Sequence, residues 1–90
     1  MRAVEYTSAF RKDYKRLQRS PRHDLAELKE VVAMLAQDAA LPEHYRDHAL
    51  GGEWQGCRDC HLRPDWLLIY RFTADALTLL RTGSHSEIFG

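Results

Sequence analysis

Residues 65–72 read DWLLIYRF, an almost unbroken apolar run closed by Arg63-Pro64 on one side and Thr73-Ala74-Asp75 on the other. A strand that is apolar on both faces must be covered on both, so this run predicts the central strand of a layered sheet. Two further strands flank it, 54–62 before the Arg63-Pro64 turn and 76–82 after Thr73-Ala74-Asp75. Residues 2–6 add a short strand at the start, with Val4 and Tyr6 on one face.

Between the first strand and the hairpins the periodicity is helical. Phe10, Tyr14 and Leu17 recur at i, i+4 and i+7 behind a capping residue, Thr7 or Ser8. Ser20-Pro21 reads as the end of that helix and the cap of a second, whose buried face is Leu25, Leu28, Val32 and Leu35. Residues 39–53 form a long loop broken by Pro42 and Gly51-Gly52, and loops of that length in small domains are often functional. The resulting plan is α+β, ordered β-α-α-β-β-β. Two N-terminal helices pack on one face of a mostly antiparallel four-stranded sheet, a short C-terminal turn follows, and the other face is left open.

Ninety residues without a repeat or composition break imply one domain, 1–90. The chain is 44% hydrophobic and 29% charged, which places it among globular rather than disordered chains. Its start lacks the apolar stretch of a signal peptide and no segment approaches a membrane span, so the expected location is the cytoplasm, with no membrane partner. The net charge is zero but uneven. Arg2, Arg11, Lys12, Lys15, Arg16, Arg19 and Arg22 crowd the first 22 residues against Glu5 and Asp13. Such a segment can meet phosphate or an acidic partner, or form a solvated helix face.

Cys57-Arg58-Asp59-Cys60-His61 matches the attachment pattern of a c-type haem. On a strand, however, alternate side chains face opposite sides, so without a bulge Cys57 and Cys60 cannot both reach one haem or close one disulfide. They read as small packing residues, and two cysteines fall short of a structural zinc site. The same parity puts Cys57, Asp59 and His61 on one face.

The strand order delivers ionisable groups to one rim of the sheet. His61 ends one strand, Asp65 begins the next across the turn, His85 follows the last strand, and His44 and His48 lie in the long loop. Imidazole titrates near ~6.5, so paired histidines can both take and give protons at neutral pH. With Arg81 to hold a phosphate bidentately, the set suits phosphodiester cleavage without a metal or other cofactor. The rival is a zinc or iron site, which His44 and His48 would support if their loop were helical.

These residues also carry a resemblance. The D-H-x-L loop at Asp47-His48, the R-D-x-H-x-x-P-D-W hairpin from Arg58 to Trp66, and the R-T-G-x-H ending at Arg81–His85 with a near-terminal Phe89 resemble the YafQ branch of the RelE/ParE superfamily, across essentially the whole chain. The resemblance implies a toxin of a type II toxin–antitoxin pair, an endoribonuclease that cuts mRNA in the ribosomal decoding site. It implies a cognate antitoxin as partner, with operator DNA bound through that complex. By motif position it marks His48, His61, Asp65, His85 and Phe89 as functional. His85 would be the acid, Asp65 with His48 would supply or orient the base, His61 and Arg81 would stabilise phosphate, and Phe89 would stack on a base. Where the family member compared has a basic and an aromatic residue, this chain has Gln55 and Cys57. The superfamily also holds ParE-like inhibitors that bind DNA gyrase without cutting RNA, so the scaffold alone leaves two further readings: a gyrase inhibitor, or a degenerate toxin that only binds its antitoxin.

Overall fold

The apolar run forms β4, Trp66–Phe72, in a computed structural model that describes all residues 1–90. It is the middle strand of five, in the order β1-β5-β4-β3-β2. The neighbours are β3 (Arg58–Arg63) and β5 (Ala76–Gly83), both antiparallel to it, while β1 (Ala3–Tyr6) runs parallel to β5. The fifth strand, β2, is His48–Ala49 and lies inside the segment read from sequence as a loop. A two-residue strand leaves no alternation to detect. It forms because Asp47 accepts hydrogen bonds from the Tyr70 hydroxyl and from Arg58 Nε, tying the segment to the sheet edge beside β3.

Helix α1 (Ser8–Gln18) is capped by Thr7 as expected, its side chain accepting from the Phe10 N–H at 3.0 Å. Helix α2 spans Leu25–Ala36, and its cap is Asp24, not Ser20. Residues 20–24 instead form a turn, so Pro21 stands outside the helix. The buried face of α2 centres on Leu28, Val31 and Leu35, with Leu25 and Val32 half-buried at its margins.

Strand parity divides β4 between two apolar clusters, as its double-sided hydrophobicity requires. Trp66, Leu68 and Tyr70 join Phe10, Leu17, Leu28, Val31, Leu35, Leu77 and Leu79 beneath the two helices. Leu67 and Ile69 face the other way and meet Cys57 and Ile88, with Leu50, Trp54 and Leu80 at the edge. The second face is therefore partly covered, by the 3-10 turn Gly52–Trp54 and by a C-terminal helix α3, His85–Phe89. Cys57 and Cys60 fall in different clusters, both free thiols, and burial raises the Cys60 thiol far above its ordinary value.

The junction of β5 and α3 is built on one buried carboxylate. Asp13, on the buried side of α1, is only 2% exposed. It accepts from Arg81 Nε at 2.6 Å, Arg81 Nη2 at 3.1 Å, Arg16 Nη1 at 3.1 Å and the Thr82 N–H at 3.1 Å. Burial pushes its pKa up, but the hydrogen bonds from Arg81, Thr82 and Arg16 outweigh burial and hold it below the usual carboxylate range. Arg16 continues the network to Glu87 at 3.0 Å, and Glu87 closes a capping box with Ser84 at the start of α3. Gly83 sits among these groups with φ +151°, where a Cβ would come within 2.8 Å of both Arg16 Nη2 and Glu87 Oε1.

Candidate active site

Three imidazoles lie side by side along one rim of the sheet. The rings of His48 and His61 are stacked with centroids 6.1 Å apart, and those of His61 and His85 5.6 Å apart. Three elements bring them together. Strand β2 sets His48 opposite Asp59, β3 carries His61 two residues after Asp59, and the Ser84 cap starts α3 at His85.

The two outer rings each have a defined tautomer. His48 Nδ1 faces two acceptors, the Arg46 carbonyl at 2.8 Å and Asp59 Oδ1 at 3.1 Å. His85 Nδ1 faces Asp65 Oδ1 at 2.6 Å, and the same oxygen accepts from the His85 backbone N–H at 2.9 Å. Both Nδ1 atoms therefore carry a proton, which leaves Nε2 of each ring to exchange one. The hydrogen bonds from the His85 backbone and ring lower the Asp65 pKa, keeping it a carboxylate.

His61 differs from its neighbours. Its Nδ1 is buried without a partner, and burial, reinforced by the neighbouring His85 and His48, lowers its pKa in spite of Asp59. Burial thus favours the neutral form of the middle ring. Asp59 itself is 4% exposed and its pKa is raised, because burial outweighs the attraction of His48, His61 and His85. Its Oδ1 has no well-aligned hydrogen bond although His48 Nδ1 is 3.1 Å away. Sequence parity placed Asp59 on the His61 face but assigned it no role. It is the acidic floor of the row.

Phe89 is 45% exposed. Its ring meets Trp54 edge-on at 5.9 Å and lies 6.4 Å from the His85 ring. Ile88, not Phe89, is the residue of α3 that packs into the second cluster. Trp66 is core, donating its indole N–H to Thr82 Oγ1 at 2.9 Å. His44 takes no part in the row and packs on Tyr45 at 4.1 Å. Its segment is a single 3-10 turn, Glu43–Tyr45, so His44 and His48 do not form a helical ligand pair. No group of three or more His, Cys, Asp and Glu side chains is arranged to hold a metal ion.

Two sequence expectations change here. Asp65 pairs with His85 and not with His48, whose carboxylate is Asp59. The guanidinium of Arg81, read as a bidentate phosphate clamp, already spends Nε and Nη2 on Asp13, with Nη2 also 3.4 Å from the Glu87 carbonyl. Asp13 falls three residues after Phe10 and four before Leu17, so the helical period puts it on the buried face, but nothing local names Arg81, 68 residues on, as its partner.

Comparison with known proteins decides the family. Residues 2–90 match the model of the bacterial toxin of type II toxin–antitoxin system, YafQ. The chain belongs to the YafQ toxin family. It is 43% identical over 91 residues to the mRNA interferase toxin YafQ of Escherichia coli strain K12, covering 99% of this chain and 97% of that relative. Among solved structures, YafQ in the Escherichia coli DinJ-YafQ complex superposes with a TM-score of 0.87 at 41% identity, covering 100% of both chains. A metal-bound toxin from Helicobacter pylori superposes with a TM-score of 0.93 at 42% identity, covering 99% of this chain and 100% of that one. The resemblance read from the D-H-x-L, R-D-x-H-x-x-P-D-W and R-T-G-x-H motifs is thus a family membership, and the α+β plan of the YafQ fold holds with one additional short strand. No helix is long and apolar enough to cross a membrane.

Proposed function

We propose that this chain is the toxin of a type II toxin–antitoxin pair and an endoribonuclease that cleaves mRNA on the ribosome, with His48 as general base and His85 as general acid. The observation that carries the reading is the row of three stacked imidazoles whose outer members have Nδ1 turned to Asp59 and Asp65. The mRNA interferase activity named for the 43%-identical relative supports it.

In this mechanism Nε2 of neutral His48 removes the proton of a ribose 2′-hydroxyl. The 2′-oxygen attacks the adjacent phosphorus, the bond from phosphorus to the 5′-oxygen breaks, and Nε2–H of protonated His85 delivers a proton to that oxygen. The products are a 2′,3′-cyclic phosphate and a 5′-hydroxyl. Asp65 is a positioning residue for His85 and Asp59 for His48. His61, kept neutral between them, donates to a phosphate oxygen without adding a third charge to the row. Arg81 contributes positive potential and its remaining Nη1, its other nitrogens being held by Asp13. Phe89, exposed beside His85, stacks on a base. A gyrase-binding inhibitor on the same scaffold has no use for such a row.

The partner is a cognate antitoxin, through which the pair binds operator DNA. The 41%-identical relative solved with DinJ supports this partner. The surface suited to it is an apolar groove of about 830 Å³ between α1 and α2, floored by Phe10, Leu28, Val32 and Leu79 and rimmed by Arg11, Lys15 and Lys29. An amphipathic segment with acidic flanks matches that floor and rim.

The test is mRNA end-mapping by primer extension after adding the chain to programmed ribosomes, with ribosome-free RNA as control. Cuts appear only with ribosomes and fall by 10²- to 10⁴-fold in His85→Ala, the usual span for a proton-transfer residue. Absence of cuts, or cuts unaffected by His85→Ala, overturns the reading.

A further inference from the structure

A second, polar cleft of about 430 Å³ opens next to the histidine row and shares Asp65 with it. Its other walls are Arg22, His23, Arg63, Trp66, Ser84 and Glu87. Most of its charges are committed. Asp65 is bonded to His85, Glu87 to Arg16, and Arg63 donates to Glu27 at 2.6 Å. Arg22 alone among them has no ion pair.

The backbone around Arg22 is held by its neighbours, while the side chain is exposed. It lies in the 20–24 turn, where the His23 N–H bonds the Ser20 carbonyl at 3.3 Å and Asp24 caps α2. The His23 ring stands edge-on against buried Trp66 at 4.8 Å, and its Nδ1 is buried without a partner. An unpaired guanidinium in the wall of a polar cleft that shares Asp65 with the histidine row suits a phosphate diester.

We propose that this cleft is a subsite for a backbone phosphate flanking the scissile one, on the Asp65 side of the histidine row, with Arg22 as its charge contact. The proposal rests on the nuclease reading and extends it, giving the RNA a second fixed point beyond Phe89. It also assigns a use to part of the basic N-terminal segment.

The experiment is a chemical double-mutant cycle on programmed ribosomes. Short mRNAs carry one neutral methylphosphonate at successive positions on either side of the cut, and wild type is compared with Arg22→Ala. One flanking substitution lowers wild-type kcat/KM about tenfold, mainly through KM, as loss of a charged hydrogen bond predicts. Arg22→Ala shows a similar loss on unmodified mRNA and no further loss on that one substituted mRNA. If the losses add at every position, or Arg22→Ala has no effect, the subsite is refuted. Additive losses would place Arg22 on ribosomal RNA instead. Failure of wild type to cut unmodified mRNA would strike the nuclease reading itself, and is seen before any substitution is made.

Discussion

Asp13→Asn isolates the contact on which the end of β5 and the start of α3 depend. The substitution keeps the volume but removes the charge from a carboxylate that is 2% exposed and accepts four hydrogen bonds, three of them from guanidinium groups. Breaking a buried ion pair costs about 3–5 kcal/mol. Arg16 and Arg81 retain 43% and 25% of their side-chain exposure, so water recovers part of the loss and about 2–4 kcal/mol remains. For a chain of this size that lowers Tm by about 10–30 °C. The pH dependence carries the sign. The folded pKa of Asp13 lies below its unfolded value, so its stabilisation is complete above about pH 4 and is lost as pH falls through the folded value. Urea titrations at pH 7 and at pH 3 should therefore show a wide gap between wild type and variant that narrows in acid. Equal stability at pH 7, or a gap unchanged at pH 3, would refute the argument.

Asp65→Asn leaves an acceptor for the His85 backbone but weakens the hold on the protonated ring. Cleavage should fall about tenfold; a rate unchanged from wild type contradicts the role given to Asp65. Asp59→Asn tests the buried floor of the row. Because the folded pKa of Asp59 is raised, its charge costs stability at neutral pH and the cost fades as pH falls toward the folded value. The variant should be more stable than wild type by the order of 1 kcal/mol at pH 7, lose that advantage in acid, and cut more slowly. Chemical denaturation across pH 4–8 alongside the cleavage assay checks both halves, and a variant that is both less stable and fully active sinks the assignment.

Much of the architecture is legible in local pattern. DWLLIYRF is a central strand because its alternate residues must enter two clusters, and Cys57, just ahead of β3, lies in the cluster opposite to that of Cys60. The hairpin and the antiparallel strand order likewise carry His61, Asp65 and His85 to one rim. What escapes the sequence is set by tertiary partners. Strand β2 depends on Asp47 meeting Tyr70 and Arg58 from distant positions. Ser20-Pro21 has the local chemistry of a helix start, yet Asp24 prevails, with its side chain capping Ala26 and the turn before it held against Trp66 through His23. Arg81 looks free until α1 delivers Asp13 beside it, and Asp65 could serve either His48 or His85 until the Ser84 cap places His85 over it. Pairings that span 11 residues or more leave no periodic trace.

The most direct test of the central claim uses an mRNA with a single 2′-deoxyribose on the 5′ side of the mapped cut, loaded on ribosomes and exposed to the wild-type chain. If His48 acts on the ribose hydroxyl, cutting at that bond stops while neighbouring ribose positions remain cleavable. Continued cutting at the deoxy position would mean that another nucleophile attacks the phosphate, and the acid–base roles of His48 and His85 would fall with it.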